Sequence, residues 1–415
     1  MPKEDNKKNV LILTTTFPRW QDDDSMPPFV FYLSRALTGY YNVYVLSPHY
    51  VGSEHFEIMD DIYVYRFSYF YPRKLEKLCN VSGGILVNLR KGILGKIQVP
   101  FLFFFGFLSL FKLCLVKKIS VINSHWMVPS GFLGALASKL LNIPHILTVH
   151  AADVFFLKRM TAGRYLARFI YFSAKTVIAE GSFVAESLFK LVGDLSLIKV
   201  VPMGVDVEKF KNTGQKREEK KRLNINEAIK LILFVGRLVE KKGLECLIKA
   251  IPGVIKELPQ TRLFIIGRGP LEGKLKALTK ELSLEKFVNF LGSMDHKQIV
   301  KYYTASDVVV IPSVIDFFGE TEGMPAVLME SLAMGLPVIA SSVSSIPDII
   351  EDGYNGWLVP PRDSEALVEK IITVLTLDYS TFKKVSEDAR LTAEKYNWSN
   401  IGRIYKECID ALISS

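Results

Sequence analysis

The four cysteines, Cys79, Cys114, Cys246 and Cys408, are scattered along the chain without a CxxC pair. That spacing excludes a disulfide framework and fits a reducing cytoplasm. Histidine is sparse too, with six residues, and cysteine and histidine together form no metal-ligand cluster in sequence. Zinc-finger spacing, a basic zipper and an aromatic–glycine RNA-binding signature are all missing, so nucleic acid is not an expected partner. There are no internal repeats, heptad arrays or low-complexity tracts. The opening MPKEDNKKN runs into VLILTTT, which is too short for a signal-peptide core and is followed by no small-residue cleavage site. It reads as a first buried strand.

What is present is enough chain for two globular domains: 415 residues, 49% apolar and 23% charged. The formal net charge of +9 is unevenly placed. Up to residue 200 there are 23 Lys/Arg against 14 Asp/Glu, and beyond it 29 against 29. The excess gathers in Arg66 to Lys118, where ten bases face only Glu76, and in Lys158 to Lys175, where five bases face no acid. Such a half suits anionic lipid, nucleic acid or a phosphorylated substrate, or else is a solvated face. Within it, Val99 to Val116 (VPFLFFFGFLSLFKLCLV) is the one candidate membrane segment, with Lys112 interrupting it. It reads three ways: a span, a largely buried core helix, or a helix resting one face on a membrane between flanking bases Arg90, Lys91, Lys96, Lys117 and Lys118.

Short apolar runs alternate with helix-like stretches, the pattern of a parallel sheet covered on both faces. In the first half the runs are Val10–Leu13, Val43–Leu46, Ile62–Tyr65, Val121–Ile122, His145–Thr148, Thr176–Ala179 and Ile198–Val201. A second series follows: Leu231–Val235, Arg262–Ile266, Val288–Leu291, Val308–Ile311, Pro337–Ala340 and Gly356–Val359. The expected fold is α/β, with two doubly wound Rossmann-like domains facing each other across a cleft. Residues 1–205 are expected to form the first domain and 230–395 the second. Residues 206–229 read as an exposed linker, and 396–415 as a terminal helix crossing back to the first domain.

Three constellations carry chemistry. Gly236-Arg237-Leu238-Val239-Glu240-Lys241-Lys242-Gly243 joins a strand to a helix, so backbone N–H groups and the helix dipole can meet an anion. Arg237 and Lys242 add cations where a departing diphosphate gathers charge; the loop is not a P-loop. Gly267-Arg268-Gly269-Pro270 follows the next strand and allows close backbone approach, but it lacks the third glycine of a dinucleotide fingerprint. The most specific stretch runs from Gly319 to Glu330, GETEGMPAVLME. Glu322 sits on its loop, Gly323 and Met324 offer N–H groups at a helix mouth, and Glu330 can accept from two ribose hydroxyls.

Taken together, these pieces resemble glycosyltransferase family 4, retaining enzymes of the GT-B fold, over nearly the whole chain. The ordered set comprises Thr16-Phe17-Pro18-Arg19-Trp20, Ser124-His125-Trp126 with Pro129-Ser130-Gly131, Thr148-Val149-His150, and Val201-Pro202-Met203-Gly204-Val205-Asp206. It continues through the two glycine turns and the glutamates at 322 and 330 to Gly335-Leu336-Pro337-Val338-Ile339-Ala340. The resemblance implies that Arg237 and Lys242 grip the donor diphosphate, that Glu322 lies beside the transferred sugar, and that Glu330 holds the ribose. It also implies backbone donation by Gly323 and Met324, a donor contact for the Gly236, Gly267 and Gly269 turns, and His150 near the reacting sugar.

The co-substrate so implied is a nucleotide diphosphate sugar, GDP-mannose or UDP-glucose or UDP-N-acetylglucosamine, with no bound cofactor and no metal required. The expected acceptor is a glycan, lipid or polyprenyl-linked hydroxyl. The expected location is the inner face of the cytoplasmic membrane, held peripherally on anionic lipid. One departure stands out: the first loop, Trp20 to Pro28, carries Asp22, Asp23 and Asp24 where many relatives place a glycine pair. Rival readings are a catalytically silent nucleotide-sugar scaffold and a sugar-nucleotide epimerase of the same architecture.

Overall fold

The computed structural model describes residues 7–21, 23, 28–79, 85, 88, 89, 92–212 and 214–414. Asp22, Asp24, Arg90 and Lys91 lie outside the described residues. The chain divides into two compact units, one of Met1–Glu180, Val184–Val201 and Trp398–Ser415, the other of Gly181–Phe183 and Pro202–Asn397.

The first unit is built on β1 (Asn9–Leu13), β2 (Asn42–Pro48), β3 (Phe56–Met59), β4 (Ile62–Phe67), β5 (Val121–His125), β6 (His145–Val149), β7 (Thr176–Ala179) and β8 (Ile198–Val200). Their order is β3-β4-β2-β1-β5-β6-β7-β8, with only the β3–β4 pair antiparallel. The chain works outward from β1 through β2 to β4, then returns to the other side of β1 at β5. That reversal makes β1/β5 a switch point, where the loops leaving the strand ends diverge and leave a crevice. Strands β5 and β6 are buried at every position, which is why they read as unbroken apolar or uncharged runs. The covering helices include α1 (Phe29–Thr38), α2 (Ile93–Val116), α3 (Phe132–Leu141), α4 (Ala151–Arg159), α5 (Gly163–Ser173) and α6 (Ser182–Val192).

Helix α2 corrects two of the three readings of the apolar segment. One side is built into the unit: Gln98, Leu102, Gly106, Leu110, Leu113 and Cys114 are buried. The Gln98 side chain accepts from the N–H groups of Lys77 and Leu78 at 3.1 Å each and donates to the Leu75 carbonyl at 2.6 Å. A membrane-spanning helix would have to abandon that packing and strand those polar groups. Nor is it a largely buried core helix, because Ile97, Phe101, Phe104, Phe105, Leu108 and Leu115 are exposed on the opposite side.

The second unit holds a six-stranded, wholly parallel sheet in the order β11-β10-β9-β12-β13-β14. Its strands are β9 (Lys230–Val235), β10 (Thr261–Ile266), β11 (Val288–Gly292), β12 (Val308–Ile311), β13 (Val338–Ser341) and β14 (Trp357–Val359). The same outward-and-back winding puts the switch point at β9/β12. Residues 206–229, read from sequence as an exposed linker, are instead part of this unit and include helix α7 (Lys216–Arg222). Asp307 accounts for the difference. It takes Lys216 Nζ at 2.7 Å, Lys220 Nζ at 3.3 Å and the Leu231 N–H at 2.7 Å. Pairing lets these charges be buried, so a composition that reads as solvated does not mark an open linker.

Helices α8 (Leu244–Glu257), α9 (Glu272–Glu281), α10 (His296–Ala305), α11 (Ala326–Ala333), α12 (Ser364–Leu375) and α13 (Tyr379–Lys395) complete the second unit. Helix α14 (Trp398–Ile413) belongs to the first unit and packs on α1. Its Tyr405 hydroxyl lies 3.3 Å from Thr148 Oγ1 at the end of β6.

Candidate active site

In the second unit, the loops leaving β9 and β12 at the switch point carry the charged residues singled out in sequence. Gly243 locks the two loops together. Its φ is +64°, and an added Cβ would stand 1.7 Å from the Pro312 carbonyl oxygen, so no side chain fits. The Val314 N–H also donates to the Lys241 carbonyl at 2.9 Å. The loop after β10 is braced on the first: Gly236 donates to the Ile266 carbonyl at 2.9 Å and Leu238 to that of Arg268 at 3.0 Å. At Gly267, φ is +141° and a Cβ would lie 1.9 Å from the Gly236 carbonyl oxygen. What the structure displays at Gly267 and Gly269 is therefore backbone packing that fixes the shape of the 236–243 loop.

Glu322 sits on the long loop after β12 and is clamped by two cations. Lys242 Nζ lies 2.8 Å from Oε2 and Lys241 Nζ 3.2 Å from Oε1. Burial opposes ionisation of this carboxyl, but Lys242 and Lys241 overcome it and hold its pKa below the ordinary value. Arg237 on the β9 loop is exposed and makes no ion pair among the described residues. The Ser344 hydroxyl donates to the Gly323 carbonyl at 2.7 Å, pinning the turn before α11. Pro325 is the N-cap of that helix, with φ −66° and ψ 122°.

Glu330, inside α11, meets a different environment. It accepts from Tyr303 Oη at 2.8 Å. Burial raises its pKa, against the opposing influence of Tyr303, Lys209 and Lys242. The two glutamates share one helix-and-loop segment but not one role: Glu322 is a paired anion, whereas Glu330 keeps acceptor capacity beside a phenol.

In the first unit, polar side chains gather at the ends of β5, β6 and β7. His150 Nδ1 lies 2.9 Å from Glu180 Oε2, and the Ala151 N–H donates to Glu180 Oε1 at 3.3 Å. His150 Nε2 is 3.4 Å from His125 Nδ1. Asp153 accepts from the N–H groups of Met127 at 2.5 Å and His150 at 3.1 Å. Burial favours neutral His150, yet Glu180 holds its pKa above the ordinary value. His125 is pushed well down by burial and by His150. Burial lifts Asp153 to about 6.

Trp126 packs beside the histidine pair, its ring centroid 4.7 Å from that of His150 and 6.3 Å from that of His125. Its backbone has φ +67° and ψ 142°, a conformation that costs a bulky residue about 1–3 kcal/mol. The acidic first loop also looks different in place: Asp23 is held by Arg19, with Nη2 to Oδ1 and Nε to Oδ2 both at 2.8 Å. Asp23 is thus neutralised internally rather than presented as a bare negative charge.

Sequence reasoning missed Lys241, Tyr303 and Glu180. Lys241 lies in the 236–243 loop, where nothing in the sequence sets it apart from its neighbours, and Tyr303 meets Glu330 from another helix. Glu180 had one usable signal: an acid directly following the apolar run Thr176–Ala179, at the end of a parallel strand where such sheets bind ligands. Among the described residues, no group of three or more His, Cys, Asp and Glu side chains is placed to hold a metal ion.

Comparison with known proteins bears on the whole chain. A family model described as glycosyltransferase family 4 matches residues 28–209, and one described as glycosyl transferases group 1 matches 215–392. An uncharacterized glycosyltransferase of Methanocaldococcus jannaschii is 30% identical over 316 residues, 72% of this chain and 77% of that protein. The amylovoran biosynthesis glycosyltransferase AmsK of Erwinia amylovora is 32% identical over 257 residues, 58% of this chain and 59% of that one. The fold matches HepE of Anabaena, solved in complex with UDP, at a TM-score of 0.72 and 18% identity, covering 97% of this chain and 100% of that one. These matches leave the scaffold and epimerase readings without support. The chain belongs to the family 4 and group 1 glycosyltransferases of GT-B fold, enzymes that transfer a sugar from a nucleotide diphosphate donor to an acceptor.

Proposed function

We propose that the second unit binds the nucleotide sugar through Arg237, Lys241 and Lys242 at the diphosphate and Glu330 at the ribose, and that transfer proceeds with retention of anomeric configuration. The observation that carries this reading is the lysine clamp on Glu322 on the loop beside that of the exposed Arg237, at the carboxyl end of the switch-point strands. A departing diphosphate accumulates negative charge, and cations already held in place stabilise it without reorganising. The N–H groups of Gly323 and Met324 reach the same ligand from the mouth of α11. Glu322 orients the transferred sugar and stabilises developing positive charge without forming an enzyme-bound intermediate, and His150 acts near that sugar.

The transferred sugar is a hexose or N-acetylhexosamine, and the acceptor a hydroxyl of a lipid-linked, glycan or lipid molecule at the inner face of the cytoplasmic membrane. A relative named for amylovoran biosynthesis supports a glycan product, and a structural neighbour holding UDP makes UDP-sugars a first choice alongside GDP-mannose. A screen of UDP-, GDP- and ADP-sugars for transfer or slow hydrolysis tests the donor class. Proton NMR of the first-formed product tests the stereochemistry: the anomeric signal should keep the donor's configuration, and an inverted signal ends the retaining reading.

Glu330→Gln is expected to lower kcat/KM for the ribonucleotide donor about tenfold, the difference between a charge-assisted and a neutral hydrogen bond. The loss should shrink with a 2′-deoxy donor, where one of the two hydroxyls is gone. Equal losses on both donors would show that Glu330 does not read the ribose.

A further inference from the structure

The exposed side of α2 is not an isolated oddity. Residues 77–179 contain thirteen Lys/Arg and a single acid, Asp153, which is buried. Helices α2, α3 and α5, all drawn from this stretch, form one layer. The rings of Phe103 and Phe132 lie 5.7 Å apart, those of Phe132 and Phe169 5.9 Å, and Lys139 Nζ stands 4.6 Å above the Phe169 ring. On α2, the side opposite the buried one presents Phe104 at 58% exposure, Leu108 at 47% and Leu115 at 57%. On α5 the exposed residues include Arg164 and Tyr165.

We propose that the outer face of this α2–α3–α5 layer binds the surface of an anionic lipid bilayer, with α2 lying in the interface plane. The inference deepens the reading of a membrane-borne acceptor, on which it rests for its biological sense. The chemistry selects the occupant. A helix of 24 residues spans about 36 Å, and along all of it aromatic and aliphatic side chains face outward with Lys96 and Lys112 among them. Aromatic and apolar groups enter the acyl boundary while the bases meet phosphate head groups. A second copy of the chain docking face to face would bring like charges together with no carboxylate to answer them. The balanced charge beyond residue 200, with 29 bases and 29 acids, gives the second unit no comparable attraction. A span is not involved, because the Gln98 side of α2 stays in the core.

The test is co-sedimentation of the full chain with phosphatidylcholine vesicles, with and without phosphatidylglycerol and without any acceptor, over a salt series. Binding should require the anionic lipid and fade as salt rises. Lys112→Glu with Arg164→Glu should weaken it more than about tenfold, since each base near such a surface contributes about one tenfold step or less. Phe104→Ser with Leu108→Ser should weaken it as well, while hydrolysis of the donor and transfer to a water-soluble acceptor stay at the parent level. Absence of binding at low salt, or equal binding by parent and variants, would overturn the proposal. So would a dimer in analytical ultracentrifugation that the same substitutions dissociate. Because the vesicles hold no acceptor and activity is read in solution, failure here leaves the transfer reaction untouched, and the reverse holds too.

Discussion

Replacing Lys242 with alanine is expected to lower kcat/KM for the nucleotide sugar roughly thirty- to a thousand-fold, a loss of ~2–4 kcal/mol of transition-state stabilisation. An ammonium has three donors, and Lys242 commits one to Glu322 at 2.8 Å. The others remain for the diphosphate. Removing the side chain therefore acts twice, because the leaving group loses a cation and Glu322 keeps only Lys241, at 3.2 Å.

The second effect has a pH signature. Lys242 is the main influence holding the Glu322 carboxyl below its ordinary value against burial. Without it the Glu322 pKa rises, so activity that needs the carboxylate falls off at a higher pH than in the parent. A carboxyl depressed on folding lends stability above its unfolded pKa and loses it as pH falls through the folded value. Lys242→Ala should reduce that contribution at neutral pH.

Arg237→Ala should cost a comparable amount in kcat/KM, but without any change in stability or pH profile, since Arg237 is exposed and pairs with no acid among the described residues. Initial rates at fixed acceptor, with circular dichroism as the folding control, measure both. Unchanged kcat/KM in a folded Arg237→Ala, Lys242→Ala double variant would remove the diphosphate site.

Most strands were legible because a parallel strand buried on both faces must be apolar throughout, and such runs need no periodicity to be seen. The short antiparallel β3 was not, since its exposed edge position leaves Phe56 and Ile58 without a continuous apolar signature. Helix α7 was hidden by its composition: KREEKKR reads as solvated until Asp307, more than eighty positions away, is seen to neutralise Lys216 and Lys220. Helix α2 failed in the opposite sense. An all-apolar helix says only that no side of it prefers water, and cannot say whether the second side meets protein or lipid. Within the site, glycine loops and the 322/330 glutamates were readable because local spacing constrains them. Tyr303 and Glu180 act across 27 and 30 positions, a distance only the fold closes.

Glu180→Gln is the substitution that separates a positioning role from a packing role. The two side chains are nearly the same size, so the buried volume at the end of β7 is kept, but the charge facing His150 Nδ1 at 2.9 Å is lost. With Glu180 present, His150 Nδ1–H donates to the carboxylate and the ring keeps one orientation, leaving Nε2 directed to His125. An amide can also present its NH₂ and select the other tautomer. The expected result is a fall in kcat of roughly ten- to a hundred-fold, the ~1.5–3 kcal/mol of a charge-assisted hydrogen bond.

The titration of His150 should move as well. Burial alone would lower its pKa, and Glu180 is the principal reason it is raised, so the midpoint read by NMR of the labelled imidazole should drop in Glu180→Gln. The stability consequence has a definite sign. A histidine whose pKa is raised by folding lends stability that is full below the unfolded value, about 6.5, and is lost as pH rises through the folded value. The variant should therefore be less stable than the parent most clearly in acid, with the gap narrowing above the parent's midpoint. Glu180→Asp, which keeps the charge, should restore part of the His150 midpoint. Parent-like titration and rate in Glu180→Gln would reduce Glu180 to a buried residue that packs against His150 without setting its proton.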